Sequence, residues 1–257
     1  MTFLSLLLTD GLRAASLPGY RCRMSSAIIE PLMAMHWSLS AAFGVLALVL
    51  HLIAYTWYAL CILRGRTRPN AASWSMWLFG AWVEYVTYDA IDSHWATSAL
   101  PFACFLGCCA IFVVTAALQL GRWFAGSGKV VYEQARRHDF WAMFADAVAY
   151  GLYLATGGAA WANVLAVSTT VITFIPIWRT TLRHGHEQPG PWLVWCAAYL
   201  AMLGAVIAGP REQLLAQGFY PVYYLLLSLV VALLSFENIR AFVGRHLSKG
   251  GSVAGHA

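Results

Sequence analysis

The 257-residue chain is 60% apolar and only 11% charged, with a mean hydropathy of +0.64. A soluble domain carries roughly 25% charged residues, so too little polar surface is present here to cover a water-facing globule. The formal net charge of +5 is read as loop charge beside a membrane rather than a nucleic-acid footprint.

Crossing a hydrocarbon core about 30 Å thick takes roughly 20 apolar residues in a helix. Seven such helices are predicted in chain order: Ser38–Leu63, Ala72–Ile91, Ala96–Leu120, Asp139–Thr156, Gly158–Trp178, Trp192–Gly209 and Gly218–Phe236. The alternating pattern of a membrane barrel is absent, and the expected fold class is an all-α polytopic membrane protein. Glu84, Asp89 and Asp146 interrupt the second and fourth spans. Residues 1–36 form an N-terminal extension. "TFLSLLL" within it is too short to span and lacks the basic start of a signal peptide. Two readings stand for this extension: a start at Met24, Met33 or Met35, or a short amphipathic arm outside the membrane.

Cytoplasmic loops collect Lys and Arg. The loops after spans one, three and five, with the C-terminal tail, hold twelve of these residues, from Arg64 to Lys249; the other side holds four, Arg13, Arg21, Arg23 and Arg211. The expected location is therefore the cell (inner) membrane, with the N-terminus outside and the C-terminus cytoplasmic.

One phrase is written twice. "RGRTRPNAASWSMW" (Arg64–Trp77) and "RHGHEQPGPWLVW" (Arg183–Trp195) both run from basic residues through proline to Trp-x-x-Trp. Each occupies the first cytoplasmic loop of a three-span unit. The chain is thus expected to hold two parallel three-helix bundles joined by a linker helix, a 3-1-3 layout. The segments are 37–121 for the first repeat, 122–156 for the cytoplasmic loop and linker helix, 157–242 for the second repeat, and 243–257 for the tail.

This layout resembles the SWEET sugar transporters and the wider PQ-loop superfamily. "FIPIWRTTLRHGHEQPGPWLVW" is similar to the second signature of that superfamily, in which a proline closes the first helix of a repeat before a basic loop. The stretch from "RHDFWAMFADAVAYGLYLAT" to "GFYPVYYLLL" resembles a bacterial branch of PQ-loop-like membrane proteins, and the similarity covers roughly 37–242. The resemblance implies a carrier whose pocket tryptophans correspond to Trp77 and Trp195. Two departures bear on the substrate. Pro176-Ile177 stands where a Pro-Gln pair would be, and span three lacks the asparagine found in the family's sugar site.

Ionisable groups deep in a membrane usually face a pathway or a partner. Glu84 and His51 each lie about twelve residues from the inner end of their spans, roughly 18 Å at 1.5 Å per residue. At equal depth they form a candidate proton-holding pair, each otherwise finding its own backbone or hydroxyl partner. Asp146, about 10 Å from the cytoplasmic side by the same rise, is a further candidate. Asn163, Ser168, Thr169 and Thr170 give span five polar atoms, and Pro176 supplies a kink. Cys104, Cys108 and Cys109 read as packing residues, "HGHE" at His184–Glu187 as a solvated loop, and "GSGK" at Gly126–Lys129 as no phosphate loop.

The expected function is a carrier that moves a small polar solute, with protons as candidate co-substrate, by alternating access between two bundles. Its pathway would comprise His51, Trp77, Glu84, Asp146, Asn163, Thr169, Pro176 and Trp195. No catalytic set, metal site or cofactor is expected; the partners are the lipid bilayer, the solute and a candidate second copy of the chain. The alternative is a non-transporting membrane receptor or assembly subunit on the same scaffold.

Overall fold

The computed structural model describes residues 26–69, 71–91, 95–126, 141–209 and 214–251. The chain divides into two compact units, Met1–His36 and Trp37–Ala257. Of the first, the described residues are helical. Eight helices are described: α1 (Ser26–Leu63), α2 (Ala71–Ile91), α3 (Trp95–Phe124), α4 (Trp141–Thr156), α5 (Ala159–His184), α6 (Pro189–Ala208), α7 (Leu214–Ser235) and α8 (Glu237–Gly251).

Five of them are long and apolar enough to cross a membrane: the Leu39–Leu63 part of α1, Thr97–Phe124, Ala159–His184, Pro189–Ala208 and Gln217–Ser235. Two expected spans fall short of that measure. Helix α2 has 21 residues but carries Glu84 and Asp89, and α4 has 16. The last helix, Glu237–Gly251, runs across the boundary between the expected second repeat (157–242) and the expected tail (243–257).

Polarity is distributed inside out. Leu200, Ile207 and Leu226 are more than half exposed, whereas Glu84, His51, Asn163 and Thr173 are at most 2% exposed. A water-soluble fold does the reverse with its charged residues. An apolar solvent around the bundle and internal hydrogen bonds for the polar groups account for the pattern.

Helix α2 packs on α3, α4 and α5; α7 packs on α5, α6 and α8; α3 also meets α6. Helix α1 joins through small residues that let large rings approach. A methyl group added at Gly107 of α3 would lie 2.3 Å from the ring of Tyr55, and one at Gly190 would lie 2.6 Å from Trp57. Phe43 covers Gly204 of α6 at 3.0 Å from such a methyl. Ser40 Oγ donates to the Ala205 carbonyl at 2.9 Å, which adds a polar tie between α1 and α6.

Gly107 therefore has a steric role that Gly121, with nothing within 4 Å of an added methyl, does not have. Gly107→Ala is expected to destabilise the fold by about 1–3 kcal/mol, as overpacked interiors do, while Gly121→Ala changes little. Thermal unfolding of the two detergent-solubilised variants, followed by tryptophan fluorescence, compares them directly.

Candidate functional site

Five helices each turn one stripe inward. Buried residues recur at helical spacing in α1 (His51, Tyr55, Tyr58), α2 (Trp74, Trp77, Ala81, Glu84, Tyr88) and α5 (Asn163, Val167, Thr170, Phe174). The same holds for α6 (Trp192, Trp195, Tyr199) and α7 (Tyr220, Tyr224, Ser228). Spacings of three and four residues put such side chains on one helix face. The five stripes meet in a single cluster of rings.

Polar groups join α2 to α5 along that face. Ser73 Oγ donates to the Thr173 carbonyl at 2.7 Å, and the indole N–H of Trp77 donates to the Thr173 hydroxyl. Further along, Thr170 Oγ1 donates to Glu84 Oε1 at 3.0 Å. Asn163 Nδ2 donates to the Thr87 hydroxyl at 3.0 Å and to the Glu84 carbonyl at 3.3 Å. Tyr224 of α7 completes the arrangement, its hydroxyl lying 2.8 Å from both carboxylate oxygens of Glu84. Glu84 is 1% exposed and is thereby held by hydroxyls from two helices of the other half of the chain.

Among the residues expected to form the site, the structure brings Trp77, Glu84, Asn163 and Trp195 into this interior. Pro176 is buried within α5, two residues beyond Phe174. Thr169 is half-buried and donates to the Ala166 carbonyl of its own helix at 2.8 Å; its neighbour Thr170 donates to Glu84. Asp146 lies on α4 with its side chain outside the described residues. Asp89 is exposed at the end of α2.

No hydrogen bond joins His51 to Glu84. Neither ring nitrogen of His51 has a hydrogen-bond partner among the described residues. The ring is instead enclosed by aromatic edges, with Tyr55 at 5.0 Å, Tyr199 at 5.5 Å and Trp195 at 6.4 Å between centroids. Both residues are buried in the interior, His51 on the α1 stripe and Glu84 on the α2 stripe. Cys104 and Cys108 lie nearby, each thiol 3.4 Å from the Tyr55 hydroxyl.

At the centre of the rings is a cavity of about 30 Å³, with Trp77, Trp195, Tyr199 and Tyr224 among its walls. A water needs about 10–15 Å³ on this scale, so the space corresponds to about two. Neither Glu84 nor His51 is among its lining residues.

One residue of the cluster was misread in the sequence. Glu187 follows the left-handed Gly185 (φ 61°) that ends α5 and precedes Pro189 at the start of α6. The motif "HGHE" predicts a solvated loop here, yet Glu187 is 3% exposed. Its carboxylate accepts from the Tyr58 hydroxyl of α1 and from the indole N–H of Trp192, each at 3.0 Å. A glutamate five residues ahead of the first tryptophan in Trp-x-x-Trp, across a Pro-Gly-Pro helix start, was the available signal.

The chain matches no family model, no curated protein and no solved structure. The chemistry of the site therefore rests on its own geometry.

Burial pushes the Glu187 carboxyl up to about 7 from an ordinary 4.5, against the pull of its two hydrogen bonds. A raised carboxyl pKa means that the folded state binds the proton more tightly than the unfolded state. Stability is then greatest below the unfolded value and falls as pH rises from about 4.5 to about 7. At 1.36 kcal/mol per unit the loss amounts to about 3 kcal/mol. Glu187→Gln is expected to flatten this part of the stability-against-pH curve, measured by chemical denaturation in detergent between pH 4 and pH 8 (about the range in which a shifted carboxyl titrates).

Proposed function

We propose that this chain is a multi-pass membrane carrier for a small polar solute, of PQ-loop and SWEET-like design, working by alternating access between two helix bundles. The observation that carries this reading is the buried carboxylate of Glu84. It is bonded across the interface between the halves, from α2 to Thr170 on α5 and Tyr224 on α7. Carriers of this architecture bind solute and coupling ion where their repeats meet, and a buried ionisable group in such a place is by default functional.

The packing order supports a duplicated bundle. In the first half α3 lies against α2 and, through Gly107, against α1; in the second half α7 lies against both α5 and α6. Helix α4, the proposed linker, packs on α5 and α2. On this reading α2 and α4 complete the seven spans, their polar residues turned inward or toward an end.

The small cavity favours a second reading. Ligand pockets commonly measure about 300–1,000 Å³, so a space of about 30 Å³ also suits a non-transporting receptor or assembly subunit with a packed interior. A carrier between its two open states has the same closed centre.

Transport decides between them. In proteoliposomes the wild-type chain is expected to take up solute from a mixed pool of labelled small metabolites above the level of empty vesicles, and Glu84→Gln to lower that uptake at least tenfold without lowering the unfolding temperature of the protein. Uptake no greater than that of empty vesicles across the pool would favour the receptor reading.

The proposed orientation places the N-terminus outside and the loops at Arg66, Lys129 and Arg183, with the tail, in the cytoplasm of a cell whose inner membrane holds the protein. Single cysteines introduced at Arg66 and Arg183 in a cysteine-free background should react with a membrane-impermeant maleimide only after the cells are opened. Labelling of either residue in intact cells would reverse the orientation.

A further inference from the structure

We propose that the aromatic cavity between the two halves binds a small organic cation of the ammonium class. This deepens the carrier reading and rests on it for the step of transport, though not for binding.

The walls decide the chemistry. Trp74, Trp77, Trp192 and Trp195 contribute four indoles set steeply to one another, at 85° for Trp74–Trp77 and 58° for Trp192–Trp195. Tyr199 and Tyr224 stack beside them with centroids 5.3 Å apart. The face of an aromatic ring is the negative end of its quadrupole, and several faces around one space attract a cation within about 6 Å of their centroids. Apolar packing alone leaves few voids larger than a water.

Two buried carboxylates strengthen those walls. The Tyr224 hydroxyl donates to Glu84 at 2.8 Å, and the Trp192 indole N–H donates to Glu187 at 3.0 Å. A ring whose polar hydrogen is given to a carboxylate becomes richer in electrons on its face. Ionised carboxylates also supply negative charge against the cost of bringing a cation into an apolar interior, which Glu187 does above about pH 7. A neutral polyol, by contrast, needs several donors and acceptors turned inward. Of the four lining hydroxyls, on Tyr55, Tyr199, Tyr224 and Ser228, that of Tyr55 is given to the Cys104 carbonyl at 3.2 Å and that of Tyr224 to Glu84.

Size narrows the class. Space for about two waters fits an ion of about two heavy atoms, and methylammonium is the probe of that size.

The test uses the full-length protein in phosphatidylcholine vesicles, with intrinsic tryptophan fluorescence titrated by methylammonium chloride and by methanol, its neutral near-isostere. A saturable change with methylammonium at a midpoint at least tenfold below that of methanol is expected. Trp195→Leu, which keeps the apolar bulk and removes the π face, should abolish that preference, and Glu84→Gln should weaken methylammonium at least tenfold. Where Glu84→Gln fails to fold, Trp77→Leu serves as the second comparison. Equal midpoints for the two probes, no saturable response to methylammonium, or an unchanged preference in Trp195→Leu would overturn the proposal. Influx of labelled methylammonium separates the two readings. Saturable binding without influx sinks the carrier and leaves the cation site, whereas influx of an uncharged solute with no methylammonium binding sinks the cation site and leaves the carrier.

Discussion

A carboxylate inside an apolar helix bundle must be met by donors from the protein itself, and the way Glu84 is met organises much of what surrounds it. Tyr224 and Thr170 bring two helices of the second half to one residue of the first. Leaving such a group without donors costs several kcal/mol at least, so the register of α2 against α5 and α7 is tightly constrained at this point. The contacts on either side follow that register. Ser73 and Trp77 reach Thr173 toward one end of α2, and Thr87 is met by Asn163 toward the other. One face of α5 therefore carries hydroxyl and amide groups at turn spacing because one face of α2 needs partners there.

The aromatic cluster is a second layer built on that polar seam. Trp77 belongs to both, giving its N–H to Thr173 and its ring to the cavity. Close approach of α1 depends on glycine, since the ring of Tyr55 occupies the space a side chain at Gly107 would take. Small residues at helix contacts are the usual means of bringing helices together where lipid offers no hydrophobic drive between them. Here they admit rings rather than backbone, and the gain is dispersion contact between large flat surfaces.

Much of this was legible before the structure. Long apolar runs and scarce charge named the helices, because no other element satisfies its backbone in an apolar solvent. Charges inside an apolar run pointed to Glu84, and the doubled Trp-x-x-Trp phrase pointed to Trp77 and Trp195. Facing relations were a different matter. Spacing along the spans gives His51 the same expected depth as Glu84, but depth says nothing of rotation about a helix axis, and only the structure shows the ring enclosed by Tyr55, Tyr199 and Trp195. Thr169 and Thr170 are adjacent in sequence and about 100° apart around α5, so only one could face the carboxylate. Glu187 was hidden by composition. "HGHEQPG" reads as a hydrated turn, and only the tertiary meeting of Tyr58 with Trp192 shows that its acid is inside.

The two buried acids would respond differently to a separation of the two halves. Glu187 and Trp192 are five residues apart and travel together, whereas Tyr58 lies on α1. Separation of α1 from the start of α6 must therefore break the Tyr58 bond while the Trp192 bond survives. The broken partner is a neutral hydroxyl that water can satisfy, at a net cost of about 0.5–1.5 kcal/mol for an ordinary hydrogen bond and somewhat more when one partner is charged. Glu84 is bound differently, because Tyr224 and Thr170 both belong to the opposite half, and the same kind of motion there would remove those two donors together. An opening at Glu187 is consequently the less costly of the two. Exposure of the Glu84 end requires that something replace those donors as they leave, and a cation, a proton or water is the chemistry able to do so.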